Sequence, residues 1–83
     1  MEHRRQWIAR TLHGWRTEAG LELEVAAGRL GWPGAKLRQY ETAAVAAGPF
    51  EIIALAAVLE VGDDERDRTI HLAYAAEQDG DLG

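Results

Sequence analysis

An all-α domain of five helices is what this sequence predicts, and three observations carry it. Apolar residues recur at helical spacing in successive segments, beginning with Ile8, Leu12 and Trp15. Glycine and proline fall between those segments, at Gly20, Gly31-Trp32-Pro33, Gly48-Pro49 and Gly62. No stretch alternates apolar and polar residues as a half-buried strand would. At 83 residues the chain holds one domain, expected over 1–78 with 79–83 as a frayed tail.

The first helix is expected over about Glu2 to Glu18. Its Ile8, Leu12 and Trp15 make an i, i+4, i+7 stripe, with Arg4, Arg5, Arg10 and Arg16 mostly outside it. Gly20 suits the left-handed position that closes a helix. Helix two, about Glu22 to Leu30, opens with Glu22 and Glu24 at the positive end of its dipole. Gly31 closes it, and Pro33 suits the first position of helix three, about Pro33 to Thr42. Pro49 opens helix four, about 49–60, where Phe50, Ile53, Ala54, Ala57 and Val58 share a face and Gly62 marks the end. Asp63 is the expected N-cap of helix five, about 64–78, with Arg66 where a capping box would place Glu or Gln. Ile70, Ala73 and either Tyr74 or Glu77 are expected on its inward side.

Composition excludes several classes. There is no cysteine, so neither a disulfide framework nor a thiolate metal site. A hydrophobic content of 47 % marks a globular chain rather than a disordered one. The longest mostly apolar stretch, Ile52 to Leu59, is far short of the roughly 20 residues of a membrane span. The leading MEHRRQW lacks the apolar run of a signal peptide. A cytoplasmic protein without membrane contact is the expectation. His3, His13 and His71 are too dispersed to ligate a metal and are expected on the surface. Asp63, Asp64, Glu65 and Asp67 lack the ordered pattern of a calcium loop. No nucleophile-base set, phosphate cradle or cofactor motif stands out, so no enzyme and no cofactor are expected.

The charge is uneven. Residues 1–42 hold seven Arg or Lys against five Asp or Glu, and residues 43–83 hold two against nine. The total of −5 does not favour bulk attraction to phosphate. Any positive face must therefore lie on the first three helices. The acidic half suits a solvated surface, a guard against wrong DNA registers, or a dock for a basic partner.

The most informative segment is LELEVAAGRLGWPGAKLRQYE, from Leu21 to Glu41. It places a small residue, Ala27, where two helices cross, a glycine at the turn, and Leu37 and Tyr40 on the inner side of a second helix. That is the pattern of a helix-turn-helix. With Leu12, Trp15-Arg16, Ala19-Gly20-Leu21, Arg29-Leu30-Gly31-Trp32, Lys36 and Glu41-Thr42, the chain resembles the lambda-repressor-like, xenobiotic-response-element (XRE) type of helix-turn-helix regulators. Val61-Gly62, Asp63-Asp64-Glu65-Arg66 and Leu72-Ala73 extend the likeness, which covers roughly residues 8–78 and is nearest the actinobacterial branch.

The resemblance implies a five-helix lambda-repressor-like domain that acts as a homodimer on double-stranded DNA and regulates transcription, with helix three in the major groove. The early exposed positions of helix three would read bases. Here they are Pro33, Gly34 and Ala35, with Arg38 and Gln39 one turn on. Arg38 suits guanine O6 and N7, and Gln39 suits adenine N6 and N7, while Lys36 suits a phosphate. The alternative for Lys36, Arg38 and Gln39 is an ordinary solvated helix face. Trp32 is expected as a plug between helices two and three rather than a base-stacking residue, and Trp15 as core. Trp7, near the N-terminus, is open to exposure and to a dimer contact.

The chain also departs from the family pattern. Leu23 stands where a phosphate-gripping Gln is usual, Glu22 where Thr or Ser caps, and helix three starts with Pro-Gly-Ala. Leu23 and Val25 are expected on the outer side of helix two, as a protein-contact patch, unless one of them belongs to the core. A degenerate helix-turn-helix adaptor, antitoxin-like and bound to a protein instead of DNA, is therefore the alternative function. A small-molecule or peptide-binding module is a third reading, without pocket residues to name.

Overall fold

The computed structural model describes residues 2–82, with side chains described for residues 4–75. Five helices follow one another: α1 (Glu2–Glu18), α2 (Leu23–Arg29), α3 (Gly34–Glu41), α4 (Pro49–Val58) and α5 (Asp63–Leu82). No strand occurs among the described residues. α1 is the central element and packs against α3, α4 and α5, while α2 lies on α3 and α4 on α5. Side chains of His3 and Glu77 lie outside the described set.

The α1 stripe is buried as its spacing requires, with Ala9 beside Ile8, Leu12 and Trp15. Trp15 also donates its indole N–H to Glu65 at 2.6 Å, tying α1 to the first turn of α5. At the α2–α3 crossing, Ala26 and Ala27 are fully buried, since only small side chains let the two backbones approach.

Three helix ends close in the same way. After α1, Leu21 N–H donates to Arg16 O and Gly20 N–H to Thr17 O, with Gly20 at φ 73°. After α2, Trp32 N–H donates to Ala27 O and Gly31 N–H to Gly28 O, with Gly31 at φ 72°. These glycines do what their sequence positions suggest. After α4 the bonds are Val61 N–H to Ala56 O and Glu60 N–H to Ala57 O. There the left-handed residue is Glu60, at φ 57°, not Gly62. Gly62 instead precedes α5, accepting from Arg66 N–H at 3.0 Å, so Asp63 is the first helical residue rather than the cap. α5 also runs on to Leu82, past the expected end at 78.

The expected face of α4 is corrected. Ile52, Leu55, Ala56 and Leu59 are the buried residues. Phe50 is 85 % exposed, Ile53 46 %, and Ala57 also faces outward. The reason is that α4 is apolar apart from Glu51 in its first turn, so its sequence offers two equally apolar faces and no polar stripe to orient it. On α5, Ala73 is buried and Ile70 half-buried, whereas Tyr74 is exposed. Thr69 completes the buried face, its hydroxyl donating to Glu65 O at 2.9 Å.

Candidate nucleic-acid interface

α3 is eight residues long and has two chemically distinct sides. Leu37 and Tyr40 are buried, and the Tyr40 ring lies 5.7 Å from the Trp32 ring at a tilt of 59°. Trp32 thus packs between turn and helix. On the other side Ala35, Arg38 and Gln39 are exposed. Helix three starts at Gly34, with Pro33 as an extended N-cap that has no side-chain bond to offer. Lys36 is half-buried, its ammonium 4.6 Å from the centre of the Trp32 ring. Such a cation over an indole face contributes about 0.5–1 kcal/mol where solvent reaches it.

A cluster that sequence reasoning missed holds α3 in place. Glu41, the last residue of α3, accepts from Arg16 Nε at 2.7 Å and Nη2 at 3.0 Å. Arg16 Nη1 donates to Leu21 O at 2.9 Å, so one guanidinium joins α1, α3 and the α1–α2 turn. His13 Nδ1 lies 3.0 Å from Glu41 Oε1 and 3.3 Å from Arg16 Nη2, so the imidazole sits at the edge of the same cluster. The Arg16 and Glu41 side chains are 12 % and 4 % exposed. Burial alone would push the Glu41 carboxyl up, but the hydrogen bonds and charges of Arg16 and His13 outweigh it and hold it below the usual range. Glu41, in turn, raises the Arg16 guanidinium further through the same hydrogen bond. Burial raises the Tyr40 phenol, helped by the Glu51 carboxylate.

The basic residues converge in part. Arg10, Arg16 and Arg38 line one groove between α1 and α3 with His13, Leu23 and Glu41. Arg16 is engaged within it, leaving Arg10 and Arg38 as the exposed cations. Arg4 points elsewhere, its Nη1 donating to Ala75 O on α5 at 3.3 Å. Arg29 is exposed at the end of α2. The expected Leu23–Val25 patch does not form as one surface. Leu23 is half-buried and packs against the core, whereas Val25 is 46 % exposed, because residues two apart on a helix diverge.

A second feature went unforeseen. The Glu24 carboxylate of α2 lies against Gly34, occupying the space that a Cβ there would need. Glycine at the start of α3 therefore admits an acidic group from α2. That acid stands at the positive end of the α3 dipole, where an approaching phosphate would feel its repulsion. Among the described residues no three His, Cys, Asp or Glu side chains gather as a cation site.

These features, a short helix braced across another with its polar side outward, define a helix-turn-helix. The family model described as Helix-turn-helix domain matches residues 7–69, and the chain belongs to that family. No curated protein and no solved structure matches the chain. No helix among the described residues is long and apolar enough to cross a membrane.

Proposed function

We propose that this protein is a sequence-specific DNA-binding transcriptional regulator of the lambda-repressor-like, xenobiotic-response-element type, working as a homodimer. α3 enters the major groove, and Arg38 and Gln39 read base edges. Ala35 and Gly34 bring its first turn close to the bases, and Lys36 and Arg10 supply phosphate contacts. The observation that carries this reading is the division of one helical turn. Leu37 and Tyr40 are sequestered in the core, while Arg38 and Gln39 between them are solvent-facing.

The test is a salt titration of binding to the DNA upstream of the protein's own coding sequence. Affinity should fall steeply as salt rises. Replacing Arg38 and Gln39 together with Ala should weaken specific binding by about 1–3 kcal/mol for each base that the variant no longer reads. Specific binding retained by that double variant would remove the readout.

A second reading, an adaptor that binds a protein in place of DNA, is supported by Glu24 against Gly34 and by exposed Val25. It predicts salt-insensitive, negligible DNA binding. It also predicts that Val25→Glu disrupts partner binding with α3 left unchanged.

A further inference from the structure

We propose, building on the homodimeric regulator above, that the outer face of α4 is the contact between two copies of this chain. Phe50, Ile53, Ala54 and Ala57 occupy i, i+3, i+4 and i+7, one continuous stripe on the side of α4 turned away from the buried Ile52, Leu55, Ala56 and Leu59. Among the described residues Phe50 is the most exposed of the large apolar side chains. Among the described residues Phe50 and Ala57 lie open and Ile53 is about half open, whereas a helix apolar on nearly every side is normally enclosed on both sides.

The order of side-chain sizes selects the occupant. Along α4 the stripe reads large, large, small, small. Two copies packed antiparallel about a two-fold axis between positions 53 and 54 bring Phe50 over the partner's Ala57. The same axis brings Ile53 over the partner's Ala54. Every large side chain then meets a small one, so the stripe packs against its own copy without a gap, with the reciprocal contacts of a two-fold axis. A parallel pairing would set Phe50 against Phe50 and leave Ala57 facing Ala57 across a gap. Charge agrees with a second copy. The lone ionisable group of α4, Glu51, turns back to accept the Gly48 N–H at 2.9 Å. A partner drawn by the acidic half would find no charge on the stripe itself.

Sedimentation equilibrium without DNA tests the assignment. The wild-type chain should form dimers, and Phe50→Glu or Ile53→Glu should raise the dimer dissociation constant roughly 100-fold, since each change is made twice per dimer. Both positions face solvent in the monomer, so helical circular dichroism and a cooperative melt should persist in both variants. The register has its own test, because the chain contains no cysteine. A mixture of Phe50→Cys and Ala57→Cys chains should cross-link to each other under mild oxidation faster than either does with itself. A wild-type chain that stays monomeric at high concentration, or Glu variants that dimerise as the wild type does, would overturn the assignment. The DNA reading fails separately: dimers that form normally but bind no DNA would leave this face intact and remove only the proposed readout.

Discussion

α3 and α4 are short helices that each give one side to the same core, yet their outer sides have opposite chemistry. The outer side of α3 carries Ala35, Arg38 and Gln39, and that of α4 carries Phe50, Ile53 and Ala57. A polar outer side costs nothing in water, so α3 can stay uncovered until a polar ligand arrives. The apolar outer side of α4 is unfavourable for as long as it faces solvent, on the order of 25 cal/mol per Å². The two proposals divide along that contrast, nucleic acid at α3 and a second copy of the chain at α4. Their anchoring differs too, since α3 is clamped at its end by a buried ion pair while α4 is held by packing.

The clamp gives the largest expected effect. Glu41→Ala would leave the Arg16 guanidinium without its carboxylate and should destabilise the fold by about 3 kcal/mol, read from urea denaturation. The same pair sets an acid limb. The native Glu41 carboxyl is depressed relative to the unfolded chain, so its contribution is fully present above the unfolded value of about 4.3. It disappears as pH falls through the lower native value. Glu41→Gln should flatten that limb, and an unchanged acid profile would show that α3 is not held this way.

Next in size is the helix end after α4. Glu60 holds a left-handed conformation that glycine adopts without strain. Glu60→Gly should stabilise the fold by about 1 kcal/mol, raising Tm by roughly 4–8 °C. A lowered Tm would mean that the Glu60 side chain itself contributes. The smallest effect belongs to Glu24. Removing its charge with Glu24→Gln should strengthen DNA binding about threefold at low salt, fading as salt screens it. Weaker binding would instead make Glu24 part of the interface.

Local signals account for what the sequence made legible. Gly20 and Gly31 announce left-handed turns within their own few residues, and the Ile8, Leu12 and Trp15 stripe is bounded by charged neighbours that orient it. On α3, the Leu37–Tyr40 step separates inside from outside for the same reason. α4 offers no such contrast, and its buried face could only be set by what α1 and α5 present to it. The Arg16–Glu41 pair joins residues 25 positions apart. Both belong to short pieces of the family likeness, but only the fold brings them together. Glu24 beside Gly34 is likewise a consequence of how α2 crosses α3, invisible in either segment alone.

Selection from a randomised duplex DNA pool by the full chain measures the central claim most directly. The account predicts enrichment of a single sequence with two-fold symmetry, its half-sites containing base pairs that Arg38→Ala and Gln39→Ala each relax at one position. A pool that emerges unenriched, or enriched equally by the Arg38/Gln39 double alanine variant, would contradict it.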